Sequence, residues 1–220
     1  MLYKRDNNSK RISYIKGLFA PEDTTLKAVT QSIVVNNLRA INVGADEGKL
    51  LQILLKLHGA QKIVEVGTLV GYSTIWLARA LPEGGKVYSF ERDEKTAQVA
   101  KDNIKNSDVN DKIEVIVGDA HEMLKTIEGN GPFDAMFIDA EKGGYCKYLD
   151  WAEKNLRKGG LIIGDNTFLF GQVYEDEVEE KYRKEIPVMK EFNRRLADTS
   201  KYDGIIIPTV EGMTVAIKKF

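Results

Sequence analysis

Apolar and polar positions along this chain change period several times, and the changes divide it. Beyond residue 61, short β-branched and apolar runs alternate with longer stretches of helical spacing. Ile63, Val64 and Val66 read as a buried strand, and residues 72–81 carry apolar side chains at the spacing of a helix. Residues 86–90 predict a second strand and 94–106 a helix. A third strand at 113–117 precedes a short helix at about 122–127, and a fourth at 133–138 precedes a helix at 145–156. Lys158-Gly159-Gly160 then leads into a fifth strand, 161–164. Residues 167–172 are apolar and irregular, and 177–197 predict a long charged helix interrupted near Pro187. The end differs in kind: 205–208 and 213–217 are strands parted by a short Glu211-Gly212 turn, so they pair antiparallel with no crossover helix.

The first part of the chain lacks strand alternation. Ala28, Ile33, Val34, Val35 and Leu38 are spaced as one face of a helix entered near Pro21 and Asp23. The stretch from Asn42 to Gly48 breaks this pattern, and Lys49 resumes it with Leu50, Leu51, Ile53, Leu54 and Leu57 until Gly59 ends the helix. His58 falls in that last turn, where a histidine commonly caps carbonyls. The whole reads as one α/β domain over 1–220, a helical appendage at 1–58 followed by an α/β core at 59–220. Its sheet is doubly wound and mostly parallel, with an antiparallel C-terminal edge.

Size and composition agree with one domain: 220 residues, 43% hydrophobic. The 32 basic and 33 acidic residues leave a net charge of -1, so no global field draws the protein to nucleic acid or anionic membrane. A lone cysteine, Cys146, excludes an internal disulfide, and two histidines are too few for a soft-ligand zinc site, so any metal should be a hard one. No apolar run has membrane-spanning length, and a soluble, cytoplasmic protein is expected. The acidic run from Glu175 to Glu180 reads as a solvated helix start.

Candidate chemistry sits where strands end. The segment Glu65-Val-Gly67-Thr-Leu-Val-Gly71-Tyr-Ser73 is a strand-to-helix turn whose backbone N–H groups would face a ligand. It departs from the dinucleotide pattern G-x-G-x-x-G, because its glycines are four apart with Leu69 between them and Glu65 precedes them. A carboxylate there would repel phosphates and welcome a cation, which suits S-adenosylmethionine, a cofactor with an ammonium and a sulfonium and no phosphate. Glu91, about twenty residues on, is placed for ribose hydroxyls, though it could also be a plain surface carboxylate. Gly118-Asp119-Ala120-His121 would wall the adenine, and His121 could equally be a helix-start residue.

Asp139, Asp165 and Asn166 bring three oxygen donors to two strand ends, a set that suits magnesium, manganese or calcium. The structural alternative is a helix cap and a turn residue. Lys142 follows Asp139 by three positions on the same loop. A neighbouring cation there would leave its amine neutral and competent as a general base.

With those residues in view, the sequence resembles the cation-dependent O-methyltransferases, the catechol and caffeoyl-coenzyme A type and their bacterial relatives. Asn42-Val-Gly-Ala-Asp-Glu-Gly48, Glu65-Val-Gly-Thr-Leu-Val-Gly-Tyr-Ser73, Phe137-Ile-Asp-Ala-Glu-Lys142 and Gly164-Asp-Asn166 stand in the family's order and spacing. The resemblance implies the Rossmann-like, seven-stranded methyltransferase fold, with N-terminal helices. It implies cofactor contacts from Val43, Glu65, Gly67, Ser73, Glu91 and Ala120, with Asp139 beside them. Metal ligation by Asp139, Asp165 and Asn166, Lys142 as base, a small phenolic or dihydroxy acceptor, and a homodimer are implied as well. Glu141 stands where the animal catechol enzymes have an aromatic gate, and Ile41 where a methionine is common, so the acceptor stays open. A hydroxylated tRNA base is the alternative acceptor. A non-catalytic binding module and a dinucleotide oxidoreductase are the competing classes, the first opposed by the intact Asp139, Lys142, Asp165 and Asn166, the second by Leu69 and Glu65.

Overall fold

The computed structural model describes residues 8–220. Three helices open the chain: α1 (Asn8–Phe19), α2 (Thr24–Val35) and α3 (Ala45–His58). Strands and helices then alternate as β1 (Lys62–Val66), α4 (Tyr72–Ala78), β2 (Lys86–Glu91), α5 (Glu94–Lys105), β3 (Ile113–Val117), α6 (Ala120–Met123), β4 (Phe133–Ile138), α7 (Tyr145–Asn155) and β5 (Leu156–Gly164). Helix α8 (Glu185–Leu196) and the hairpin of β6 (Tyr202–Ile207) and β7 (Met213–Lys218) complete it. The seven strands form one sheet in the order β3-β2-β1-β4-β5-β7-β6, parallel through β5 and antiparallel at β7 and β6. The strand order reverses between β1 and β4, the place where an open parallel sheet leaves a crevice at the carboxyl ends.

Both sheet faces are covered, and strand parity shows how. Ile63, Val87, Ala135, Phe137, Leu161 and Ile163 pack under α2, α3, α4 and α5. The alternate positions Val64, Val66, Met136, Ile138 and Ile162 pack under α6, α7 and α8. A strand buried on both faces needs the nearly unbroken apolar runs that mark these segments.

Several expectations are corrected here. The buried face of α2 is Leu26, Val29 and Ile33; Ala28, Val34 and Val35 are exposed. Asp23 caps that helix by accepting from the Leu26 N–H. Helix α3 begins at Ala45 rather than Lys49, because Glu47 Oε2 accepts from the Gly44 N–H at 2.8 Å and nucleates the turn. Gly48 lies inside the helix, where a Cβ would strike the Trp76 indole. Ile53 and Leu57 of that helix are exposed. His58 does not cap its own helix; Nε2 lies 2.7 Å from the Gly159 carbonyl, tying α3 to β5.

The expected helix at 122–127 is the four-residue α6 followed by 3₁₀ turns at Leu124–Asn130. The acidic run 175–180 is solvated but irregular, with a bend at 176–177, and starts no α-helix; only its last residue, Glu180, enters a 3₁₀ turn. Pro187 stands in the first turn of α8, where a missing N–H leaves no helical bond unmade. The earlier part of the expected helix has only a 3₁₀ turn at Glu180–Tyr182. No described helix is long and apolar enough to cross a membrane.

Candidate active site

A cavity of about 510 Å³ opens at the strand ends around the reversal. Val43, Gly67, Ser73, Glu91, Ala120, Asp139, Lys142 and Asn166 line it, so the fold gathers residues from more than 120 positions of chain. Gly67 is at φ 106, and a Cβ there would collide with the Asp139 carbonyl: only glycine lets the ends of β1 and β4 come this close. The turn is not the donor cradle expected of it. The N–H groups of Gly67 and Thr68 donate to the Phe90 carbonyl, that of Gly71 to Thr68, and that of Leu69 to Glu91 Oε2 at 2.9 Å. With those donors spent inside the protein, the turn offers phosphates little, in keeping with a phosphate-free ligand.

Glu65 lies beneath the cavity wall rather than in it. Its side chain is fully buried, and both oxygens accept hydroxyl bonds: Ser73 at 2.6 Å, Thr74 at 2.5 Å and Ser89 at 2.6 Å. Burial pushes its carboxyl up to about 7 against those three bonds. Its link to a ligand runs through Ser73, which does reach the cavity. Glu91 is held by the Leu69 and Asp93 N–H groups, one on each oxygen, which leaves lone pairs of both for a diol. Asp119 caps α6 through the His121 N–H. His121 stacks on Tyr148 at 4.5 Å between ring centroids, and both reach Glu141 Oε1, Tyr148 from 2.7 Å and His121 from 3.0 Å. His121 does not itself line the cavity; it stands behind Tyr148 and Glu141, which do, while Gly118, Asp119 and Ala120 of the same segment form the wall.

At the other end of the cavity, β4 and β5 are neighbours, as the two acidic strand ends require. Lys142 Nζ lies 3.3 Å from Asp139 Oδ1, 2.8 Å from Asn166 Oδ1 and 3.4 Å from the Asp165 carbonyl. It also donates to the Tyr145 hydroxyl at 2.6 Å, which passes its proton toward the carbonyls of Ile138 and Asp165. Asp165 is buried, and its Oδ1 has no hydrogen-bond partner. Burial, then the charges of Asp139 and Glu47, push its carboxyl up to about 8. Among the described residues no three His, Cys, Asp or Glu side chains gather as a metal cluster; this set is two carboxylates and an amide.

The family model described as O-methyltransferase matches residues 18–219. The chain belongs to the O-methyltransferase family. A catechol O-methyltransferase of Niastella koreensis is 38% identical over 213 residues, covering 94% of this chain and 95% of that protein. A caffeoyl-CoA O-methyltransferase of Populus kitakamiensis is 32% identical over 214 residues, covering 94% and 91%. The solved O-methyltransferase of Bacillus cereus, in complex with SAH, matches with a TM-score of 0.88 at 37% identity, covering 96% of this chain and 97% of that one. The protein is an S-adenosylmethionine-dependent O-methyltransferase with a mixed seven-stranded sheet.

Sequence reading of this O-methyltransferase missed several site residues. Tyr145 carries a signal, since it follows Lys142 by three positions at the start of a helix. Thr74 directly follows Ser73 but reads as an ordinary helix residue, and Ser89 sits mid-strand with no local mark. Tyr148 gives none either, because its meeting with His121 depends on how α7 packs beside α6.

Proposed function

We propose that this enzyme transfers the methyl group of S-adenosylmethionine to one hydroxyl of a vicinal dihydroxy phenol, catechol-like or hydroxycinnamate-like, with the help of a hard divalent cation. The observation that carries the reading is Asp165 Oδ1, a buried carboxylate oxygen with no partner. Such a group costs stability unless a positive charge meets it in use. The Lys142 ammonium already lies against Asp139 and Asn166, so the pocket favours a cation there. Asp139, Asp165 and Asn166 would hold magnesium, manganese or calcium, whose charge would orient adjacent hydroxyls and ease loss of a phenolic proton.

Lys142, as the free amine, would take that proton, with Tyr145 holding its nitrogen by accepting one hydrogen bond while donating to backbone carbonyls. Glu91 would hold the ribose hydroxyls, and Ser73 and Val43 the amino-acid end, with Glu65 orienting Ser73 from behind. Ala120 and Gly67 would border the nucleoside, and Asp139 would touch cofactor and cation alike. Holding donor and acceptor in line removes most of the entropic barrier to a two-substrate displacement.

The same reading treats residues 1–220 as one domain, a helical appendage at 1–58 on a core at 59–220. It also takes the enzyme as cytoplasmic, where a lone cysteine stays reduced. A homodimer is proposed because Tyr14, Leu18 and Phe19 of α1 and Ile53 and Leu57 of α3 are exposed apolar side chains on two helices that pack together. A monomer mass by light scattering across a wide concentration range would remove that part.

The deciding experiment offers labelled cofactor with catechols, hydroxycinnamates and bulk tRNA, with and without chelator. Methylation of the vicinal diols that stops on chelation and returns with magnesium is the expected result. Full activity in protein shown metal-free by elemental analysis would sink the cation and, with it, the diol class.

A further inference from the structure

Arg39, on the loop between α2 and α3, is exposed and lines the cavity. Its guanidinium has no hydrogen-bond or ion-pair partner among the described residues. Arg79, Arg157, Arg194 and Arg195, by contrast, each pair with a carboxylate. The acidic groups of the cavity wall are engaged elsewhere. Glu91 accepts from Leu69 and Asp93, Asp119 from His121, and Glu141 from Tyr148 and His121.

Two residues beyond Arg39, Ile41 is 67% exposed, and Phe170, on the loop after β5, is 50% exposed. Both line the same cavity. Single exposed apolar side chains are ordinary. Here two separate loops present one each to a shared opening. The backbone also works to hold Phe170 out: Leu169, Phe170 and Gly171 follow one another at φ 48, 55 and 87. For two residues bearing a Cβ that conformation is costly, and it persists only where the surroundings enforce it. Leu169 is buried as the anchor, and the Phe170 ring stacks on Tyr182 at 5.4 Å.

Resting on the O-methylation reading above, we infer that Arg39 determines acceptor choice: the acceptor is a planar dihydroxyaromatic acid whose ring lodges between Ile41 and Phe170 and whose carboxylate pairs with Arg39. The methyl donor does not account for Arg39, because its one anionic group is a carboxylate already assigned to the Ser73 end. A guanidinium presents a planar fork that matches a carboxylate on two oxygens. Closing a ring over the opening also removes water from that pair, which strengthens it.

The test compares kcat/KM for 3,4-dihydroxybenzoate and caffeate with that for neutral catechol and cationic dopamine, in the wild type, Arg39→Ala, Arg39→Glu and Arg92→Ala. Arg92 also lines the cavity and serves as the control cation. The wild type should favour the acids over catechol by about tenfold, the range of a charged hydrogen bond discounted for partial exposure. Arg39→Ala should erase that preference through KM, with melting temperature and cofactor affinity, the measures of intact folding, unchanged. Arg39→Glu should turn the preference toward dopamine, and Arg92→Ala should leave the ratios alone. The methyl ester of caffeate lacks the carboxylate and carries no other charge; a loss for it in Arg39→Ala as large as for the free acid overturns the carboxylate assignment. Methylation of catechol with no preference for acids, or an unchanged ratio in Arg39→Ala, sinks this inference alone. No methylation of any diol sinks the O-methylation reading along with it.

Discussion

The two ends of the cavity are built on opposite principles. Around β1 and β2, the polar groups named above are satisfied before any ligand arrives: Glu65 holds three hydroxyls, Glu91 two backbone N–H groups, and the N–H groups of the glycine turn the Phe90 carbonyl of β2, the Thr68 carbonyl and Glu91 itself. Around β4 and β5, Asp165 Oδ1 has no partner and the Lys142 ammonium is spread among four oxygens at 2.6 to 3.4 Å. A finished end suits a ligand that never changes, since rigid groups bind it with little reorganisation. An unfinished end stores destabilisation that ligand binding relieves, and the residues that look worst for stability are the ones to suspect of chemistry.

The sharpest way to break this contrast is Asp165→Asn. Turnover should fall by about 10³-fold, since several kcal/mol of electrostatic help is lost. Without added cation, and above about pH 8 where Asp165 is ionised, the variant should melt a few degrees higher than the wild type, because a buried charge with one unpartnered oxygen has gone. A lower melting temperature in calorimetry would show that Asp165 is structural. Lys142→Ala should slow the chemical step by about 10²-fold or more in single-turnover assays and leave cofactor affinity intact.

At the finished end, Glu91→Ala should weaken S-adenosylhomocysteine by about tenfold to a hundredfold in a calorimetric titration, with the chemical step little changed at saturation. Unchanged affinity would remove the ribose assignment.

The smallest effect concerns Glu65. Folding raises its carboxyl from an ordinary 4.5 to about 7, so the protonated form is the better tolerated. Its contribution to stability is fully present below about pH 4.5 and is lost as pH rises through about 7. Between pH 5 and 8 the wild type should therefore lose a few degrees of melting temperature relative to Glu65→Gln. Parallel melting curves for the two proteins would remove Glu65 as the titrating group.

The sequence carried most of the architecture. Strands buried on both faces need apolar runs that little else in a chain resembles, and the closing hairpin follows from a turn too short for a crossover. The strand-end acids were legible because Asp139, Asp165 and Asn166 interrupt such runs at their ends. The phase of α2 was not legible: Ala28, Val34 and Val35 fit a helical face as well as Leu26, Val29 and Ile33, and only packing against α4 and α5 chooses between them.

Tertiary structure alone decided what those residues meet. Glu65 reads in the chain as an anion facing a cationic ligand and proves to be a buried anchor, because Ser73, Thr74 and Ser89 come from a helix and a neighbouring strand. Glu141 is held by two aromatic residues from α6 and α7, and Lys142 by a tyrosine and an asparagine from separate elements. Local spacing determines strands and helices because those are set by neighbours along the chain. Charge state, hydrogen-bond partners and exposure are set by neighbours across the sheet, and those follow from the order in which the strands pair.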